Sequence, residues 1–427
     1  MLTPEYLEAC ADSVLGIYDE LNIKIVEDIA RRIAKTGTVT DSAKWQIKQV
    51  QEAGKLMDEI THEVASITGF SDAYVKELFN DASVTSLEYE SRFVTEAGQT
   101  PVTLNTSPAM MQTLAAAIEK TQGNLNNLTG TTAVASQSLY LESTNMAYMQ
   151  VTSGAFPYQE AIKQAVRAAA IEGSKVYYSN GHSSKLDVAI RWSLLTGVNQ
   201  TAGQLTEMYA DDMGCDYYET SAHVGARNTG AGYLNHESWQ GQVFCISGKD
   251  HRYRQFEEAT GYGTGGGLCG WNCRHSFHMF FPGLSKPAYS ESTLSRYSNR
   301  KHTYKTPSGE TQILDEYECT QKQRAYERSV RESKTILAGY DAAIKAAPNA
   351  TLENSMKEEF AAESVKLKKI EAEMKDFCKQ TGRPVDSART QVYAVKDDSG
   401  KIVNFGRSVS QKAVWANKKS REEVKPK

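Results

Sequence analysis

An α+β fold is predicted by three observations: helical periodicity in the first and last thirds of the chain, short strand-like runs in the middle, and a concentration of glycine and histidine among those runs. Residues 1–152 read as a helical N-terminal region and 153–300 as a compact Gly/His/Cys-rich α+β core. Residues 301–383 read as an antiparallel helical hairpin, and 384–427 as a small β-hairpin with a charged tail. At 427 residues the chain is long for one core, since a domain takes roughly 150 residues.

The first 35 residues read as helix. Thr3-Pro4-Glu5 supplies a capping hydroxyl, a proline at the first helical position and an acid in the first turn. Val14, Ile17, Tyr18, Leu21, Ile25, Ile29 and Ile33 then fall on one helical face. Thr36-Gly37-Thr38 interrupts, and Thr40-Asp41 can cap a second helix to about Ile67; shorter helices are expected over 72–81, 108–120 and 136–151. Ser153-Gly-Ala-Phe-Pro157 breaks the pattern ahead of an alanine-rich helix, Glu160–Gly173. Lys175–Tyr178 reads as a strand, with Ser183-Ser184 capping the helix after it. Cys215–His223 alternates in the β manner, and Gln242–Ile246 is a second strand. Helix returns over Gln312–Ala347 and Leu352–Gln380, folded back at Ala347-Pro348-Asn349. Gln391–Val395 and Ile402–Phe405 read as a β-hairpin across Asp397-Asp-Ser-Gly400, and Asn417–Lys427 as a disordered charged end.

Forty-eight basic against fifty-two acidic side chains give a net charge of −4, which argues against a general polyanion binder. No apolar run reaches the roughly 18 residues of a membrane span. The start, MLTPEYLEAC, has neither a basic nor an apolar leader region, so export by signal peptide is not expected. Seven cysteines, an odd number scattered from Cys10 to Cys378, make no disulfide framework and fit assembly in a reducing cytoplasm.

The densest chemistry is Cys269-Gly-Trp-Asn-Cys273-Arg-His275-Ser-Phe-His278. Thiolates and neutral imidazoles suit zinc, so Cys269, Cys273, His275 and His278 form a candidate ligand set with zinc as the candidate cofactor. The bland alternative is a buried polar core of small thiols and loop-bound histidines. A second constellation, His223, Arg227, His236, Trp239 and Gly241, brackets a strand and reads as structural core. His236-Glu237 opens like a zinc-protease helix, but Gln240 stands where the second histidine belongs. Cys245 or Cys273 could act as a nucleophile, yet neither lies in a recognisable hydrolase signature. Gly261-Tyr-Gly263-Thr-Gly-Gly266 matches a dinucleotide fingerprint in letters only, lacking the strand before and the helix after. Arg324, Arg328 and Arg331 share one helical face; they read either as a solvated face or as a guanidinium ladder for an acidic partner or phosphates.

Several separated motifs, in order, carry a resemblance. They are Asn127-Leu-Thr-Gly-Thr-Thr132, Ser153-Gly-Ala-Phe156 with Ala161-Ile162, Asp187-Val-Ala-Ile-Arg191 and Thr196-Gly-Val-Asn-Gln-Thr201. Ser221-Ala-His223 with Ala226-Arg227 follows, then Trp239-Gln-Gly-Gln-Val-Phe244, Gly270-Trp-Asn-Cys273-Arg-His275, Phe280-Phe-Pro-Gly283 and Gln323-Arg-Ala-Tyr-Glu-Arg328. In these the chain resembles the phage minor capsid protein 2 family, itself distantly similar to the Mu F-like head proteins. The resemblance implies a virion component present in few copies, made with the head in the bacterial host cytoplasm and located at the portal and capsid interior. The implied partners are the portal protein, the major capsid protein or scaffold, and packaged DNA, with no membrane. Where Mu F-like proteins carry an Asn-Cys-Arg-Cys element, Asn272-Cys273-Arg274-His275 has histidine last.

Two other readings stand beside a structural and assembly role without a catalytic residue. One is a metal-dependent hydrolase, nuclease or wall-degrading, using His223, His236, Cys273 and His275, with Glu237 as the carboxylate. The other is a DNA-binding module resting on the three arginines and Lys366–Lys369.

Overall fold

The computed structural model describes residues 1–36, 42–96, 98, 100–173, 175–178, 181–386, 388–392, 394–396 and 402–405. In chain order come helices α1 (Pro4–Ala9), α2 (Asp12–Ala34), α3 (Ser42–Glu96), α4 (Pro108–Thr152) and α5 (Tyr158–Glu172), then strands β1 (Lys175–Tyr177) and β2 (Ser183–Lys185). Helix α6 (Leu186–Met213) leads to β3 (Tyr217–Thr220), β4 (Val243–Cys245), β5 (Arg254–Gln255), α7 (Phe256–Thr260) and β6 (Phe277–Met279). The chain continues through α8 (Glu291–Ser298), β7 (Lys301–Lys305), β8 (Thr311–Asp315), α9 (Glu316–Ala346), α10 (Ala350–Thr381), β9 (Ala394–Lys396) and β10 (Ile402–Phe405). The fold is α+β, with long helices and a few small sheets.

Local chemistry explains the boundaries. Thr3 caps α1 as expected, its hydroxyl accepting the Tyr6 N–H at 3.1 Å with Pro4 at the first helical position. Two helices run longer than the sequence reading. The sequence pattern ends the second helix near Ile67, but α3 runs on through Gly69, a glycine that costs about 1 kcal/mol against alanine inside a helix. Burial of Leu56, Ile60, Val75, Phe79, Leu87 and Val94 along the helix outweighs that cost. Helix α4 likewise runs unbroken from Pro108, where Ser107 Oγ accepts the Met110 N–H. Its Thr131, Thr132, Ser136 and Thr144 hydroxyls donate back to carbonyls one turn earlier, so they do not break it.

Two further differences fall on strands. Ser183 and Ser184 do not cap α6; they form β2, paired antiparallel with β1 in the register Val176↔Ser184. Residues 312–315 are not the start of a helix but the second arm of the β7–β8 hairpin. Helix α9 begins four residues later because Asp315 and Glu318 make a reciprocal capping box. Asp315 Oδ1 accepts the Glu318 N–H at 2.8 Å, and Glu318 Oε2 accepts the Asp315 N–H at 2.9 Å.

The chain forms two compact units, each discontinuous in sequence. The first comprises Met1–Val14, Ser71–Leu125 and Ile190–Lys322. Its sheet has the order β5-β4-β3-β6, with β3 antiparallel to both neighbours and β5 parallel to β4. Tyr218 at its centre joins Trp239, Phe244, Phe256, Leu268 and Phe277 in one buried cluster.

The second unit comprises Leu15–Phe70, Asn126–Ala189 and Gln323–Lys427. Helices α9 and α10 form the antiparallel pair expected from the turn at Pro348, with Asn349 Oδ1 capping α10 at the Leu352 N–H and Gly382 closing it in the left-handed conformation. Helix α5 packs its alanine face inward, and Lys163–Glu359 at 3.2 Å and Arg167–Glu363 at 3.0 Å tie it to α10. Strands β9 and β10 pair antiparallel as read from the sequence. Their connecting turn and the tail from Asn417 lie outside the described residues.

Lys334 on α9 is only 2% exposed and donates to the Thr390 carbonyl at 2.6 Å. Desolvation pulls its pKa down from 10.5 to about 8. Between those values the unfolded chain binds more protons than the native one, so stability rises with pH. Relative to Lys334→Met, the wild-type chain should gain up to about 3 kcal/mol between pH 8 and 10.5. Paired denaturation curves at the two ends of that range check it: a constant gap would mean that the ammonium stays hydrated.

Candidate metal centre

Three loops after β3 and before β6 build the centre of the first unit. Ser221 and Ser276 exchange hydrogen bonds, Ser221 N–H to the Ser276 carbonyl at 2.8 Å and Ser276 N–H to Ser221 Oγ at 2.9 Å. His223 follows, its backbone N–H donating to Gln240 Oε1 at 3.0 Å. His236 opens a single 3-10 turn, His236–Ser238. Trp239 comes next, its indole N–H held by the Tyr233 carbonyl at 2.9 Å. From α6, the Asn199 amide donates to the Cys273 carbonyl at 3.2 Å and the His275 carbonyl at 2.9 Å, clamping the segment that carries both residues.

His236, Cys273 and His275 come together, with ligand atoms all within 4.8 Å of one another. Cys273 Sγ lies 3.8 Å from His236 Nδ1 and 3.6 Å from His275 Nδ1. The far nitrogens are both engaged: His236 Nε2 meets the Gly266 carbonyl at 2.9 Å, and His275 Nε2 meets Gln240 Oε1 at 3.3 Å. All three side chains are at most 3% exposed. Burial keeps the imidazoles neutral, lowering His236 to about 4 and His275 well below its ordinary value. It pushes the Cys273 thiol up to about 11. Cys273 therefore holds its proton near neutrality and lacks the thiolate a nucleophile needs. The Cys245 thiol is buried too and donates to Asp216.

The other sequence candidates divide clearly. His223 packs its ring 4.5 Å from that of His275, with Nδ1 on the Val224 carbonyl. Trp239 is fully buried, 4.7 Å from the His236 ring and 4.8 Å from that of His275. Arg227 supports the turn through its carbonyl, which accepts the Glu237 N–H. Gly241, at φ +64°, leaves no room for a side chain: a Cβ would meet Leu294 at 2.7 Å. Cys269 is buried, but its sulfur points to the His275 carbonyl at 3.7 Å and is not one of the three. It sits at φ +55°, a left-handed backbone costing a non-glycine residue about 1–2 kcal/mol. His278 is elsewhere, 3.4 Å from Glu219 and stacked on Phe93.

The arginines of α9 do not make a free ladder. Arg324 pairs with Glu327 at 2.6 Å and Arg331 with Asp187 at 2.8 Å, while Arg328 is exposed. Lys366, Lys368 and Lys369 each face an acidic neighbour on α10. The Gly261–Gly266 stretch is a packed coil, with Gly261 against the Tyr233 ring and Gly265 against Trp271. Sequence reading gives no site role to Asn199, which enters only within the Thr196–Thr201 motif. The zinc ligand set leaves out His236, 37 residues from Cys273, and only the alternative hydrolase reading places it with Cys273 and His275.

The geometry defines an α+β protein whose histidines, cysteines and glycines are used to fasten loops around a solvent-shielded centre. The chain belongs to the phage minor capsid protein 2 family, whose family model matches residues 2–379. It is thus a minor capsid protein of a phage, a virion component that associates with other phage structural proteins. No curated protein and no solved structure matches it. Among the described residues no helix is long and apolar enough to cross a membrane.

Proposed function

We propose that this minor capsid protein acts in head assembly at the portal and capsid interior, binding the portal protein and contacting the major capsid protein or scaffold. The observation that carries this reading is the family match over residues 2–379, which takes in both compact units and not the central core alone. Burial of the His/Cys centre supports a folding role for it: a hydrolase would need a metal with an open position, a reachable substrate and a placed base. His236, Cys273 and His275 are at most 3% exposed, which disfavours the metal-dependent hydrolase reading. Packaged DNA is a weaker partner, because two of the three α9 arginines and the α10 lysines already face carboxylates.

Co-expression with the portal protein of the same genome, followed by purification through a portal tag, tests the proposal. The chain should be recovered in a fixed ratio and survive a high-salt wash, since an interface held by apolar burial is little screened. Recovery of the portal alone would overturn portal docking.

A further inference from the structure

We propose that His236 Nδ1, Cys273 Sγ and His275 Nδ1 hold one zinc ion, with a small ligand such as water in the fourth position. The first support is a count of protons. The Gly266 carbonyl has no hydrogen to give, so the hydrogen in its bond to His236 Nε2 belongs to the ring. Gln240 Oε1 also accepts the His223 backbone N–H, which fixes the amide oxygen there and makes His275 Nε2 a donor too. A neutral imidazole carries one N–H, so both Nδ1 atoms present bare lone pairs, and both face the same sulfur. A thiol has one hydrogen and can satisfy only one of them. That sulfur also accepts the His275 backbone N–H at 3.4 Å. Three electron-rich atoms thus converge in a buried space where an unmatched lone pair is costly, and a cation satisfies all of them.

The second support is dimensional. Zinc bonds of about 2.3 Å to sulfur and about 2.0–2.1 Å to nitrogen, at a tetrahedral angle, set sulfur and nitrogen about 3.6 Å apart. The observed separations are 3.6 and 3.8 Å. Thiolate with imidazole is also a donor set that zinc favours over magnesium or calcium. The surroundings have the form of an outer shell: each ring donates its far N–H to a carbonyl or amide oxygen, and Asn199 fixes the carbonyls on either side of Arg274. Binding is balanced simply: Zn²⁺ takes the place of the Cys273 hydrogen, which leaves to solvent as a proton.

The full chain, expressed with zinc and purified without chelator, should contain about one zinc by elemental analysis. Replacement by cobalt(II) should give a near-ultraviolet thiolate-to-cobalt band and the intense visible bands of a four-coordinate ion. Cys273→Ser should abolish the near-ultraviolet band and His236→Gln should lower cobalt affinity at least tenfold, while His278→Gln leaves the spectrum as in the wild type. Should either variant fail to fold, the cobalt spectrum of the unaltered chain still decides. A folded chain that contains no zinc and gives no thiolate–cobalt band overturns the proposal, as does a band that survives Cys273→Ser. Portal retention is measured separately, so failure of one leaves the other standing.

Discussion

Gly267→Ala is expected to cost more than about 4 kcal/mol and to leave the glycine-rich loops of the first unit unfolded. The added Cβ would lie 2.2 Å from the Gly261 oxygen, 2.4 Å from its carbonyl carbon and 2.6 Å from the Thr260 oxygen. These are backbone atoms, and they are pinned. The Gly261 carbonyl accepts the Thr264 N–H at 3.0 Å and its hydroxyl at 2.7 Å, and the Thr260 carbonyl accepts the Leu268 N–H at 2.9 Å. Relief would require breaking those bonds in a segment that also positions the Gly266 carbonyl against His236. Gly263→Ala separates crowding from conformation. Gly263 has φ +85° with nothing within 4 Å of an added Cβ, so it should lose only the left-handed penalty of about 1–2 kcal/mol. Denaturation midpoints of the two variants test the difference; equal losses would contradict the crowding account.

This same stretch shows what a single sequence reveals. Gly261–Gly266 could be rejected as a phosphate cradle because the required strand and helix were absent, and the structure puts a packed coil there. The helix start at Thr3 was legible, because a cap is a local hydrogen bond between neighbours in sequence, whereas Asn349 reads only as part of a turn and also caps α10. Asp315–Glu318 carried an equally local signal, but the apolar residues Ile313 and Leu314 drew the helix back over a strand. The lengths of α3 and α4 were not legible. Whether a helix passes through Gly69 or Gly130 depends on what its apolar stripe buries, which is tertiary information. The site followed the same division. Cys273 and His275 could be singled out by type and spacing, whereas choosing between His278 and His236 required the topology. On β6 side chains alternate, and His278 turns to Glu219 and Phe93 while the 3-10 turn at His236 closes over Cys273.

Trp239→Ala should destabilise the first unit by about 3–5 kcal/mol, the range for emptying a buried aromatic site. Trp239 is fully buried and belongs to the cluster that includes Leu268, Cys269 and Cys273. Its ring is a wall against which both His236 and His275 are set. Removing the wall leaves a cavity and also frees the two imidazoles to rotate away from Cys273. At the zinc site proposed above, affinity should then fall about 10–100-fold, the usual cost of losing an outer contact that orients a ligand. Trp239→Phe divides the effect into its parts. It keeps most of the aromatic packing but strands the Tyr233 carbonyl that the indole N–H satisfied at 2.9 Å, a loss of about 1–3 kcal/mol. Denaturant midpoints should therefore fall in the order wild type, Phe, Ala, and chelator competition should show zinc held more tightly by Phe than by Ala. If Phe were as unstable as Ala, the hydrogen bond and not the packed ring would be what Trp239 contributes. If both variants kept wild-type zinc affinity, the histidines would be oriented by Gly266 and Gln240 alone.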